Sequence, residues 1–512
     1  GLSLGAQWMN LASRQMWLVR IGFALTGVLL GLIVASGNPI LIAMSVGVIF
    51  GTLLLNALHV ALWALLIGVF MISGPFFMFV PSLVKTGWLF SVLGFFLVGA
   101  AILYPALGRH QPRRKTPAMV YYGIAFIVWA VALAFFSDGS LKEIITGAKR
   151  YFQFWGAFFV LAVVPFAWSR VKSWMGFLGL LACIQLPIVL VQRIFLVPYL
   201  ASLNAELEGF VAIDSVVGTF EGTLHGGGSS SILALFLVLG IAYLLSARRD
   251  NLLTGARFWW PLILMTVPLG LGETKIVIVL LPVVLFVIYM DLIVARPILF
   301  LFGAIMTGVV ALGFVYLYAV IQVPDARDLS FEQRILETID YNFGKVGYFG
   351  GLGLNRFTAV TFWFHEHGLR DPLGTLFGHG LGSSYGGDGR VPNTGHINDM
   401  YRNKLVGQTS ATSMLWDFGA IGFGLFAAMV ASAWFAARRL INEAEPGFDR
   451  AFCRLLLASV SCVPLMLFYW DGITVVPSNQ LLTMLTLGMV AWRLRQQVPV
   501  PANPIRTAAG SR

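Results

Sequence analysis

"SSSILALFLVLGIAYLLS", residues 229–246, holds no charged side chain, and "ARRDNLLTGAR", residues 247–257, follows it directly. A helix rises about 1.5 Å per residue, so such a run covers most of the hydrocarbon thickness of a bilayer. Lipid offers the backbone no hydrogen-bond partner, so a crossing segment must satisfy its own amides as a helix or close into a barrel. The apolar residues here run together rather than alternating, which excludes the strand of a membrane barrel. The basic cluster that follows marks the inner end of the span, because Lys and Arg are retained on the cytoplasmic side.

The pattern recurs along the chain. Of its 512 residues, 58% are hydrophobic and only 11% charged, against roughly 25% charged in soluble domains, and mean hydropathy is +0.83. Candidate spans fall at 17–36, 39–56, 58–79, 87–107, 117–136, 151–168, 174–194, 229–246, 258–271, 275–290, 297–321, 410–436, 455–470 and 478–493. The second and third are hard to separate, and the ninth and tenth are short. The expected fold is therefore all-α: a polytopic transmembrane helix bundle of 12–14 spans, with a long extracytoplasmic loop carrying short amphipathic helices. With the amino terminus inside, "GRHQPRRK" (108–115), 247–257 and "AARRLINEAEPGFDRAFCR" (436–454) are inner loops, and both termini are cytoplasmic. The net charge of +11 is then mostly a topology signal. No basic face with interleaved aromatics is visible, so nucleic acid is not an expected partner. Cys183 and Cys462 lie in spans and Cys453 at an inner edge, so no outer disulfide is expected. The first span serves as its own signal.

Four regions follow. Residues 1–136 contain no Asp or Glu and read as scaffold. Residues 137–321 form a central membrane region with polar segments at 137–150 and 197–228. Residues 322–409 are one long outer loop, and loops of that length inside a compact protein are usually functional. Residues 410–512 hold the last helices and a cytoplasmic tail. Within the loop, 325–343 has the spacing of an amphipathic surface helix. The segment 347–368 reads as a second helix or a re-entrant piece. Then comes "DPLGTLFGHGLGSSYGGDGR" (371–390), a glycine-rich stretch directly before the twelfth span.

A charge near lipid is costly and by default marks a site. In "GTFEGTLHGGGSSS" (218–231), Glu221 and His225 are four apart and share a face if helical; the plainer reading is a loop with serine caps. Glu273 and Lys275 occupy a turn between two short spans, where a cation suits a phosphate or pyrophosphate; the plainer reading is a surface pair. Arg370 and Arg402 are loop cations open to an anionic ligand. His379 and His396 sit in glycine-rich or polar loop and are candidates for acid–base work or for hydrogen bonding to substrate. Asp417 lies just inside the twelfth span as a cap or sugar-hydroxyl ligand. His365 and His367 form a His-x-His without further ligands, too weak a pattern for a metal site. No metal and no cofactor is expected.

"LFGHGLGSSY" (376–385), a polar stretch and "SMLWDFGAIGFGLF" (413–426) resemble the carboxy-terminal signature of the O-antigen ligase and Wzy polysaccharide polymerase superfamily. "GTFEGTLHGGGSSSILALFLV" (218–238) resembles the opening of that family's mid-chain span, and "GETKIVIVLLPVV" (272–284) takes the place of its "SRGA" turn, with Lys275 where the family has Arg. The likeness covers roughly residues 210–440. It implies a metal-independent glycosyltransferase of GT-C type in the bacterial inner membrane, with the long loop periplasmic. The implied donor is an oligosaccharide on undecaprenyl pyrophosphate, and membrane lipid is a further partner, with a chain-length regulator and a flippase as possible associates. Lys275, with Arg402 or Arg370, would hold the pyrophosphate. Glu221, His225 or His396 would act on the acceptor hydroxyl. The glycine-rich stretch would belong to a mobile outer rim. The missing Arg before the "GTF" element favours a polymerase. The alternatives are a ligase moving glycan to lipid A or protein, and a transporter or flippase of lipid-linked glycans.

Overall fold

A computed structural model describes residues 51, 54–75, 80, 87–106, 115–203, 215–221, 230–272, 275–298, 301–303, 305, 308–309, 344–345, 353–386, 394–401 and 404–496. The chain divides into two compact units, Gly1–Ala61 and Leu62–Arg512, and the site described below lies wholly in the second. The described residues are helical, with no strand, and seven of the helices are long and apolar enough to cross a membrane. The expected spans at 17–36, 39–56 and 297–321, and the surface helix at 325–343, lie largely or wholly outside the described residues.

In chain order the helices are α1 (Leu58–Ile67, extended by a π turn, Gly68–Ile72), α2 (Gly87–Ala106), α3 (Ala118–Phe136), α4 (Leu141–Phe152) and α5 (Trp155–Val163). Next come α6 (Trp168–Val191, running on through Gln192–Leu196 into Val197–Leu203), α7 (Ser230–Arg249), α8 (Ala256–Leu271) and α9 (Val277–Ala295). Three short helices follow: α10 (Arg356–Glu366), α11 (Pro372–Phe377) and α12 (His396–Met400). The last are α13 (Ser410–Glu443), α14 (Phe448–Tyr469), α15 (Gly472–Val475) and α16 (Pro477–Arg495). The expected span at 151–168 is not one helix. The chain breaks after Phe152, and α5 has nine residues, too few to cross a bilayer by itself. It is apolar because it is buried on all sides, packed between α2 and α16. Periodicity does not separate a buried helix from a crossing one.

The two ends of the bundle differ. At one end, Arg493 pairs with Asp449 at 2.6 Å and Arg454 with Asp250 at 3.0 Å, and Arg249 pairs with Asp291. These pairs tie the end of α16 to the start of α14, α14 to the end of α7, and α7 to the end of α9. They hold basic residues at this end of the bundle in place, so part of the charge that reads in sequence as a topology signal is structural. The opposite end gathers the ends of α3, α14 and α15 with the starts of α13 and α16, and α4 lies across it. That end carries the polar chemistry.

Candidate functional site

The site grows from a break in α13. The Thr409 hydroxyl caps its first turn by accepting from Thr412 N at 3.1 Å, with the Thr412 hydroxyl returning the contact. At Gly419 the backbone leaves helical space, with φ +66° and ψ −172°. A helix broken there leaves the carbonyls of 416, 417 and 418 without their usual partners. Three donors from elsewhere replace them: His379 N to Trp416 O at 2.8 Å, Gly380 N to Asp417 O at 2.9 Å, and Trp129 Nε1 to Phe418 O at 3.0 Å. Gly378, itself at φ +71°, approaches so closely that a Cβ would stand 2.5 Å from Gly419 N, and a Cβ on Gly419 would stand 2.3 Å from Leu376 O. Gly374, Gly378, Gly380 and Gly382 of the 371–390 stretch thus answer a packing demand. Gly419→Ala should cost upward of about 2 kcal/mol from strain and backbone clash, read as a drop in the thermal midpoint in detergent; an unchanged midpoint would show that the break is not required.

Asp417, fully buried, then fixes the loop from below. Its Oδ2 accepts from the Tyr151 hydroxyl at 2.7 Å and Gly382 N at 3.3 Å, and its Oδ1 from the Ser383 hydroxyl at 2.8 Å and Ser384 N at 2.7 Å. The loop in turn receives α12, through Gly395 N to Tyr385 O at 2.7 Å and Ile397 N to Ser383 O at 3.1 Å. Sequence reasoning offered Asp417 as a cap or a sugar-hydroxyl ligand. Its oxygens are instead taken by the protein, so it organises the site from beneath. The segment expected as a mobile rim is, over 378–386, a tied loop.

Arg150 is the residue that sequence reasoning passed over. α4 is strongly amphipathic, capped by the Ser140 hydroxyl accepting from Glu143 N, and its buried face carries Gly147, Arg150 and Tyr151. Arg150 is 6% exposed. Its Nη2 donates to the Ser413 hydroxyl at 2.7 Å, but Nε and Nη1 are buried with no hydrogen-bond partner among the described residues. The guanidinium lies under the Tyr385 ring, 5.1 Å from its centroid. Asp417 and Asp471 help hold its charge against the cost of burial, and burial itself pushes the Asp471 carboxyl up to about 6. Gln480 of α16 braces the same turn of α4, donating to Arg150 O at 2.8 Å and Tyr151 O at 3.0 Å. The signal in sequence was a cation on the buried face of an amphipathic helix, three residues from Gly147.

Glu143, one turn into α4, meets His396 at the start of α12: Nδ1 lies 2.7 Å from Oε1. That hydrogen bond raises the His396 pKa, against burial. A raised imidazole stabilises the fold while protonated, and this is lost as pH climbs through the folded value. The stability gap between wild type and His396→Asn should therefore be widest below about pH 6.5 and narrow as pH rises through the raised folded value. Thermal melts across pH would show this; a gap that widens with pH would reverse the assignment.

The other expected residues are spread more widely. Glu221 is buried, accepts from the Ser73 hydroxyl at 2.6 Å, and has its carboxyl raised by burial. Lys275 is exposed in the turn between α8 and α9. Because α8 starts beside Arg248 and the last turns of α9 carry Asp291, at the ion-pair end, this turn lies at the same end as Arg150. Arg370 is exposed, 3.5 Å from His365 Nδ1. His225, Glu273 and Arg402 lie outside the described residues. His365 and His367 do not form a pair: His365 turns to Glu366 at 3.2 Å, while His367 Nε2 meets His379 Nε2 at 2.7 Å. Burial, then His367, drives the His379 pKa down to about 4. A separate cavity of about 270 Å³, lined by Met175, Tyr243, Arg257, Met265, Phe452 and Met489 among others, lies toward the ion-pair end. It is almost wholly apolar and suits a lipid chain rather than chemistry. Compared with known proteins, the chain matches no family model and no curated sequence.

Proposed function

We propose that this membrane protein is a glycosyltransferase that joins undecaprenyl-pyrophosphate-linked oligosaccharide units into a polysaccharide. The observation that carries the reading is Arg150: a buried guanidinium at the polar end of the bundle, two of whose donors have no partner among the described residues. Buried polar groups are nearly always satisfied, so a buried cation with two open donors leaves room for an anionic ligand or ordered water. A diphosphate supplies paired anionic oxygens to a planar fork of N–H donors, which strengthens both contacts. A carrier lipid would bring that group to the membrane surface, and Lys275, exposed at the same end, suits the rim of the path.

In this reaction the acceptor hydroxyl oxygen attacks the anomeric carbon of the donor. The bond from that carbon to the pyrophosphate oxygen breaks, and lipid pyrophosphate leaves with the bonding pair. Arg150 stabilises the charge that develops on the leaving oxygen. His396, oriented through Nδ1 by Glu143, takes the hydroxyl proton on Nε2. Glu221, whose raised carboxyl also suits a base, is the second candidate. The test is reconstitution: the purified chain in liposomes with lipid-linked repeat units should yield a ladder of longer lipid-linked glycans. Transfer to lipid A instead would make it a ligase, and movement of the lipid between leaflets without a ladder would overturn the reading in favour of a transporter.

A further inference from the structure

The geometry points to a divalent transition-metal site, with Zn²⁺ the best match, formed by His367, Asp371 and His379 on the α10–α11 segment. One ligand atom from each residue lies within 4.8 Å of the others. The three come from different local devices. His367 closes the carboxyl end of α10, Asp371 caps α11, and His379 leaves α11 for the glycine-rich loop. Asp371 spends Oδ1 on Gly374 N at 2.9 Å, leaving Oδ2 for an ion. Gly374 makes room for this: a Cβ there would stand 2.0 Å from Asp371 Oδ2 and 2.8 Å from His367 Cδ2.

The donor set is two neutral imidazoles and one carboxylate, which suits a borderline ion and leaves a fourth position for water. His367 is 3% exposed and packed against the Trp363 and Trp416 rings, which fix its plane. Zn–N bonds of about 2.0–2.1 Å in a tetrahedron place ligand atoms about 3.3 Å apart. The imidazole nitrogens, now at 2.7 Å, would need to separate by roughly half an ångström. His379 N is bonded to Trp416 O, so an ion here would clamp α10 and α11 onto the broken turn of α13. This role is structural and independent of the proposed glycosyl transfer, and its test reads metal rather than product.

The experiment uses tag-free full-length protein in detergent, stripped with chelator and titrated with Co²⁺ and then Zn²⁺. One equivalent of Co²⁺ should give visible d–d bands that Zn²⁺ removes, and Zn²⁺ should raise the thermal midpoint. His379→Gln, which can still hydrogen-bond His367, should bind at least tenfold more weakly and lose the thermal shift, while His365→Gln should keep both. Absence of stoichiometric bands in wild type would overturn the site, leaving a His–His hydrogen bond alone. Equal binding by His379→Gln at a native melting point would overturn it as well.

Discussion

Arg150→Ala is expected to abolish polymer formation while the protein still reaches the membrane at normal level. Among the described residues the side chain makes one hydrogen bond, to Ser413; its loss also leaves the Asp417 and Asp471 carboxyls without their nearby cation, so the melting point is read beside product. The substitution takes two donors from the ligand. Charge-assisted hydrogen bonds contribute about 1.5–3 kcal/mol each, so the pair amounts to a loss of at least about a hundredfold in rate or affinity. Arg150→Lys keeps the charge but not the fork, and an ammonium cannot span two oxygens in one plane. It should retain a small fraction of activity. Wild-type product from Arg150→Ala, measured as a glycan ladder against protein level, would remove the diphosphate site from Arg150.

Asp417 should behave in the opposite way, failing in folding before chemistry. Asp417→Ala strands four buried donors: the Tyr151 and Ser383 hydroxyls and the Gly382 and Ser384 amides. Each unmet buried group costs about 1–3 kcal/mol, enough together to release the loop and empty the membrane of folded protein. Asp417→Asn keeps one oxygen and should fold with a lowered thermal midpoint and a loop open to protease. If Asp417→Ala melts like wild type but is inactive, Asp417 touches substrate and the organising role fails.

The membrane helices were legible because apolar length follows from the bilayer itself. The spans at 87–107, 117–136 and 410–436 correspond to α2, α3 and α13. The span at 151–168 misled because α5 is apolar for burial rather than for lipid. At the site, the glycine-rich loop and Asp417 stood out as polar groups at a span's mouth, and the structure joins them. What they do there was not legible. Gly378 and Gly419 are needed for each other, and that pairing exists only once residues forty-one apart in sequence meet. Arg150 was hidden among basic residues counted as topology, since charge alone does not reveal which cation is buried. The same holds for His367 and His379: the adjacent His-x-His drew the eye, while the partner stood twelve residues on.

The most direct measurement is retention of undecaprenyl pyrophosphate by the protein in nanodiscs, read by native mass spectrometry. Wild type should hold one molecule and release it to excess inorganic pyrophosphate. Arg150→Ala, with an unchanged melting point, should hold none, and Lys275→Ala should hold it more weakly than wild type. A folded Arg150→Ala protein that retains the lipid as well as wild type would contradict the account.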